Sequence, residues 1–171
     1  MKLFAKLIWS IVPVLFLSIC CISSTSQADI HQERTNKIIR VIKGNIILVL
    51  KMKYDKKLYS EVDADLYWGL FTHDNYRCAS MDITVDKQNL RIGDFLFSPL
   101  SNVVTASITR SSNSSHFSIH IGGGDAGAAY WATITFKYIK SRHRYEPVSR
   151  ILRNAEFPNS YYEKSTYHMW W

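Results

Sequence analysis

Apolar and polar residues alternate with a period of two along most of this chain, and this pattern constrains the fold more than any other feature. In MDITVD, residues 81–86, every second side chain is apolar and the intervening ones are polar. Because successive side chains of a strand point to opposite faces, such alternation predicts a strand with one buried and one wet face. Long helical periodicity does not recur along the chain after its N-terminal apolar run. The sequence therefore predicts a mostly β fold, an antiparallel β-sandwich or a curled sheet with at most one or two short helices.

Turn residues divide the alternating runs into a series of predicted strands. The glycine-containing segment 43–45 and the polar segments 87–89 and 111–115 each separate two runs, as expected for hairpin connections. Residues 160–163 predict one short helical turn near the C-terminus. The predicted strands are 36–42, 46–54, 65–72, 81–86, 90–92, 103–110, 116–121, 131–139 and 148–153.

The first 28 residues have the pattern of a secretory signal peptide. Lys2 and Lys6 precede an apolar run at 7–22, and Ser26-Gln27-Ala28 has the small residues that signal peptidase accepts before a cleavage site. We therefore expect an exported protein, periplasmic or secreted. Its mature chain, 29–171, has the length of a single β-rich domain.

Two alternatives to cleavage remain open at this N-terminus. A permanent membrane anchor is one, although the apolar run is shorter than the roughly 20 residues that a spanning helix needs, and Pro13 interrupts it. A lipoprotein acylated at Cys20 or Cys21 is the other, although the residue before the acylated cysteine would then be Ile19 or Cys20 rather than a small one.

Cleavage would leave one cysteine, Cys78, in the mature chain. An internal disulfide is then impossible, and a redox or zinc motif of the Cys-x-x-Cys type does not occur in the sequence. Because apolar residues surround Cys78, we expect a buried and unreactive thiol. Pairing with another chain is the alternative.

The excess of positive charge is concentrated near the C-terminus. Residues 137–153 contain six basic residues and only one acidic residue, Glu146. Such a segment attracts acidic proteins, lipid headgroups or other phosphates, whereas an exported chain without a recognisable motif is not expected to bind nucleic acid. A solvated hairpin that only carries charge is the alternative. The candidate binding residues in this segment are Arg142, Arg144, Arg150 and Arg153.

The glycine-rich segment Gly122-Gly123-Gly124-Asp125-Ala126-Gly127 has the spacing of a dinucleotide-binding motif. A β-rich run follows it instead of the helix that would receive a pyrophosphate, so we expect no cofactor. The four residues from Gly122 to Asp125 are candidates for a binding loop with free backbone amides. A tight connection that only glycine tolerates is the alternative.

Histidines and carboxylates recur at two places without forming a convincing site. His116 and His120 share one face of a predicted strand with Ser118 between them, but about 13 Å separates the two histidines, too far for one metal ion. Solvent-facing polar residues are therefore expected there. Glu61, Asp63 and Asp65 also share one edge, and we expect an exposed strand start rather than a calcium loop. The sequence thus predicts no metal and no assigned catalytic residue.

The C-terminal segment is unusually aromatic. Its candidate binding residues are Tyr161, Tyr162, Trp170 and Trp171, because Tyr and Trp are common anchor residues of interfaces. Alternatively, this segment folds back and closes the core.

Together these features favour a small exported, noncatalytic binding protein whose partner is another protein with an acidic surface. An inhibitor or immunity-type protein is one form of this hypothesis. A small envelope hydrolase that gathers some of the residues His73, Asp74, His116, His120 and Asp125 is the first alternative. A structural or lipid-facing envelope component, attached peripherally or through a lipid, is the second.

Overall fold

The computed structural model describes residues 27–32, 36–54, 76–110, 115–124, 129–157 and 159–167. The predicted strand 65–72 and the carboxylates at 61, 63 and 65 lie outside these residues, as do His73 and Asp74. The described strands are β1 Gln27–Gln32, β2 Asn36–Lys43, β3 Ile46–Tyr54, β4 Tyr76–Val85, β5 Gln88–Asn89, β6 Val103–Arg110, β7 His116–Gly123, β8 Tyr130–Ile139, β9 Arg144–Asn154 and β10 Tyr161–Thr166.

The strands form two antiparallel sheets of five strands each. The first sheet has the order β1-β2-β3-β4-β5 and the second has the order β10-β9-β8-β7-β6, so within each sheet consecutive strands are hydrogen-bonded neighbours. Two short 3-10 helices, Asp94–Leu96 and Lys140–Arg142, occur among the described residues. The prediction of a mostly β, antiparallel fold is confirmed.

The two sheets contribute to one hydrophobic core. On β3 the burial alternates as the sequence predicts, with Leu48 and Leu50 buried and Lys51 exposed. Ile119 on β7 and Ile134 on β8 supply the opposite side of the same cluster. Burial of each such side chain stabilises the fold by about 1.5–3 kcal/mol.

The three predicted hairpin pairs are present, β2 with β3, β4 with β5 and β6 with β7. β2 and β3 join through Gly44, whose φ of +57° lies in the left-handed region that glycine adopts without steric cost. β4 turns into β5 at Asp86 and Lys87, both with positive φ, as a two-residue turn of the primed type requires. The predicted turn at 87–89 lies C-terminal of the observed one, because Gln88 and Asn89 already pair with β4. The predicted strand 90–92 is therefore wrong, since the returning strand has ended at Asn89.

The predicted helical turn at 160–163 is wrong. Residues 161–166 instead form β10, which pairs antiparallel with β9 through a bulge between Tyr161 and Glu163. This pairing satisfies the backbone of β10 and covers one edge of β9, a long-range gain that local capping signals do not contain. β9 is also longer than the predicted strand 148–153, since it begins at Arg144.

The two sheets contact each other at both edges of the fold. At one edge β6 lies against β1 and β2, where the Lys37 ammonium donates a hydrogen bond of 2.7 Å to the carbonyl oxygen of Val103. At the other edge the rings of Phe95 and Tyr167 meet edge to face at 5.2 Å. The Arg150 guanidinium also donates to the carbonyl oxygen of Phe95 there.

Cys78 is buried on β4, as predicted. Burial raises the pKa of its thiol to about 12, which suppresses the reactive thiolate. β1 begins at Gln27, two residues before the predicted cleavage position. Within the described part of the chain, no helix is both long enough and apolar enough to cross a membrane.

Candidate functional site

A cross-strand row on the outer face of the second sheet brings together three of the predicted binding residues. Register pairs Gly122 with Trp131, Trp131 with Arg153, and Arg153 with Tyr161. We call these four residues the aromatic row. Because neighbouring strands lie about 4.8 Å apart, the row spans about 14 Å from β7 to β10.

The large side chains of the aromatic row are exposed to solvent. Trp131 retains 47% and Tyr161 50% of its full exposure, and Arg153 is exposed as well. Their sequence neighbours Ala132 and Leu152 are buried in the core, so the row points away from it. A row of exposed large aromatic residues beside an arginine is a candidate protein interface, because Trp, Tyr and Arg dominate the binding energy of such interfaces.

Arg153 is held in place by Tyr161. The guanidinium carbon of Arg153 lies 4.9 Å from the centre of the Tyr161 ring, and an Arg153 nitrogen donates to the Tyr161 hydroxyl at 3.3 Å. A cation over an aromatic face contributes about 0.5–1 kcal/mol at an exposed site. The pair therefore presents its charge in a preferred orientation.

The predicted glycine loop is partly wrong, because Gly122 and Gly123 belong to strand β7 and are buried. A Cβ on Gly122 would lie 2.7 Å from the Trp131 ring, and a Cβ on Gly123 would lie 2.5 Å from the Tyr130 hydroxyl. Gly123 is thus required by the buried Tyr130 ring, whereas the crowding at Gly122 involves the exposed side chain of Trp131. Of the three described glycines in this segment, Gly124, with φ of +80°, leaves the strand in a left-handed conformation. Asp125 lies outside the described residues.

Polar side chains form the rows next to the aromatic row. His120 bonds to Thr109 at 2.9 Å and to Thr133 at 3.2 Å, and Ser118 bonds to Thr135 at 3.1 Å. Burial lowers the pKa of His120, which favours its neutral form. His116, Ser118 and His120 thus share one outward face, as predicted, and the hydrogen bonds that hold Ser118 and His120 run to different threonines.

The described residues contain no group of three or more potential metal ligands.

A second concave feature lies at the edge between the sheets, next to the basic segment. This cavity has a volume of about 620 Å³ and lies between residues 88–95 and residues 142–147, with Tyr167 at its side. We call it the basic groove. Arg142 and Arg144, two predicted binding residues, line it, and Arg91 faces them from the other wall.

Glu146 organises the two arginines of the basic groove. An Arg142 nitrogen donates to both carboxylate oxygens at 3.0 and 3.1 Å, and Nε of Arg144 donates at 2.6 Å. Desolvation alone would raise the pKa of Glu146, but the hydrogen bonds from both arginines outweigh it and hold this pKa below its usual range. Glu146 is therefore ionised at neutral pH.

Arg150 does not join either surface, because its side chain is buried. Its guanidinium makes a two-pronged ion pair with Glu163, with distances of 2.8 and 2.6 Å. Desolvation opposes ionisation of Glu163, yet the bonds from Arg150 and Ser165 hold its pKa below the usual range. Arg150 thus links β9, β10 and the backbone at Phe95 rather than presenting a free charge.

The aromatic C-terminal segment divides between core and surface. Tyr162 and Tyr167 are half-buried against the core, and Asn154 donates a hydrogen bond to the Tyr162 hydroxyl. Tyr161 and Phe157 are exposed. Trp170 and Trp171 lie outside the described residues.

Sequence reasoning missed Trp131, although the signal for it was present. In WATITFKYI, residues 131–139, the apolar face begins at Ala132, and the alternation therefore places Trp131 on the wet face. A large aromatic residue on a wet face is a candidate anchor. The facing wall of the basic groove, with Arg91 and Phe95, was also missed, because its position depends on long-range contacts between the sheets.

Comparison with known proteins finds no matching family model, no similar curated protein and no similar solved structure.

Proposed function

We propose that this chain is an exported, noncatalytic binding protein that acts on another protein through the aromatic row. The observation that carries the proposal is the exposure of Trp131, Arg153 and Tyr161 in one cross-strand row. These three residue types are the ones most enriched among interface hot spots. Their position on paired strands reduces the entropy that binding must offset.

The chemistry around the row favours a partner with an acidic surface. Arg153 lies within the row, and Lys164 is exposed on the same outer face of β10. The adjacent row of Ser, Thr and His side chains supplies hydrogen-bond donors and acceptors of the kind that surround an interface core. A partner with carboxylates around an apolar pocket would complement both features.

Export is part of the proposal and rests on the N-terminal sequence. Residues 1–28 have the charged start, apolar run and small residues of a cleaved signal peptide. An exported domain of this size that binds a protein without catalysis would fit an inhibitor or immunity-type role.

Photo-crosslinking tests the proposal at the residue that carries it. A photoreactive amino acid replaces Trp131 in one variant and Ile42 in a control, since Ile42 is equally exposed, at 46%, on the first sheet. We expect one protein of the producing cells to crosslink at position 131 and not at position 42. Equal crosslinking at both positions, or none at 131, would overturn the proposal.

A further inference from the structure

We propose that the basic groove is a second binding site, for a small molecule that carries a carboxylate or phosphate group on an apolar body. This site lies apart from the aromatic row and does not depend on the proposed protein partner. Its volume of about 620 Å³ falls within the range of ordinary small-molecule sites. A recess of about 140 Å³ adjoins it and shares Gln88, Leu90, His143, Arg144 and Tyr145 with it, and Asp86 lines the recess but not the groove.

The charge of the groove favours an anion. Arg91, Arg142 and Arg144 line it, and Glu146 is the only carboxylate among its described lining residues. The described lining residues therefore carry three guanidinium groups and one carboxylate, which Arg142 and Arg144 already bind. Such an excess of cationic groups in a concave site attracts anions and strengthens their hydrogen bonds.

Arg144 is the residue best placed to contact the ligand. Only its Nε is engaged by Glu146, at 2.6 Å. Among the described residues its two terminal nitrogens have no hydrogen-bond partner, and the side chain retains 53% exposure. The bond to Nε fixes the guanidinium plane, so the terminal nitrogens form a fork of the geometry that carboxylate and phosphate oxygens accept.

The burial of Glu146 is better explained by its effect on the positions of Arg142 and Arg144 than by a contribution to the stability of the fold. Burying a carboxylate with its arginines contributes little compared with apolar packing of the same volume, because desolvation offsets the attraction. Glu146 is nevertheless buried, and it is bonded by Arg142 and Arg144 together. The arrangement holds two cationic groups at the groove wall before any ligand arrives.

An aromatic wall completes the groove. Phe95 is exposed and packs edge to face on Tyr167 at 5.2 Å. Tyr145 is fixed by the Phe117 ring at 5.2 Å and by a 2.8 Å hydrogen bond from Arg110. These rings offer an apolar surface beside the cations, which favours an oxyanion attached to a flat apolar body over a bare ion.

Titration of the isotope-labelled protein with four probes tests this inference. We expect phenyl phosphate and phenylacetate to shift the amide resonances of Gln88 and Leu90 saturably, inorganic phosphate to bind more weakly, and phenol not to bind. The stronger of the first two probes identifies phosphate or carboxylate as the preferred group. Arg144→Gln should weaken binding about tenfold or more. Lys164→Gln, which removes an exposed charge from β10, should leave it unchanged.

Four results would each overturn the inference: no saturable shift with either anionic probe up to about 10 mM, binding by Arg144→Gln equal to that of the unchanged protein, an equal loss in Lys164→Gln, or unchanged binding by Arg91→Gln. Thermal unfolding checks that Arg144→Gln is folded. Arg91→Gln, on the opposite wall, provides a second variant that must also weaken binding. Trp131→Ala should bind the probes normally, which separates this site from the proposed protein interface.

Discussion

Replacement of Gly123 by alanine tests the packing that supports the aromatic row. The added Cβ would lie 2.5 Å from the Tyr130 hydroxyl oxygen and 2.7 Å from the ring carbon that bears it. The Tyr130 side chain cannot move aside into solvent, because only 1% of it is exposed. Its hydroxyl also donates a buried hydrogen bond of 2.9 Å to the carbonyl oxygen of Ser101.

Two costs therefore add in the Gly123→Ala variant. Overpacking of a filled core costs about 1–3 kcal/mol, and loss of a buried hydrogen bond costs about 1–3 kcal/mol. The lower chain entropy of alanine in the unfolded state returns about 0.5–1 kcal/mol. We expect a net loss of about 1–5 kcal/mol in the free energy of unfolding.

Urea unfolding followed by circular dichroism measures this loss, and Gly122→Ala is the matched control. The Cβ added at Gly122 would meet the Trp131 ring at 2.7 Å and the Thr105 methyl at 2.8 Å. Both of these side chains are exposed and can rotate outward, so we expect a loss below about 1 kcal/mol. Equal losses in the two variants, or no loss in Gly123→Ala, would refute the packing argument.

Three further predictions concern titratable groups. The hydrogen bonds from Arg142 and Arg144 hold the pKa of Glu146 below 4.5 in the folded protein, so the stability that they contribute should be lost as the pH falls through the lowered pKa. The free energy of unfolding of Glu146→Gln should therefore fall less steeply with acid than that of the unchanged protein. An unchanged pH profile would contradict this prediction. Cys78, with a pKa of about 12, should react with a disulfide reagent at neutral pH only after unfolding in urea, and immediate labelling of the native protein would show that the thiol is accessible. The imidazole of His120 should titrate below 6.5 in a nuclear magnetic resonance experiment because burial disfavours its charged form, and titration at or above 6.5 would contradict its burial between Thr109 and Thr133.

Local patterns predicted most of the described strands. The alternation in β3, β4, β6 and β8 is a property of adjacent residues, so it can be read without knowledge of the partner strand. β10 could not be found in this way, because its six residues become a strand only through pairing with β9. The same holds for the first residues of β9, which precede the predicted strand.

The candidate sites were only partly predictable for a related reason. Residue type alone makes Arg153 and Tyr161 candidates, and the sheet places them side by side with Trp131. The charge of Arg150 makes it a candidate too, but its burial against Glu163 depends on the position of β10. The sequence predicts a loop at Gly122 and Gly123 because it does not reveal which rings cross a glycine on the neighbouring strand.

The affinity of the crosslinked partner, purified and measured by calorimetry, tests the central claim most directly. Truncation of a central aromatic anchor costs about 2 kcal/mol or more. Trp131→Ala should therefore raise the dissociation constant at least about thirtyfold. Ile42→Ala should leave it unchanged, because Ile42 has a similar exposure but lies on the other sheet. If Trp131→Ala binds the partner as tightly as the unchanged protein, the aromatic row is not the interface.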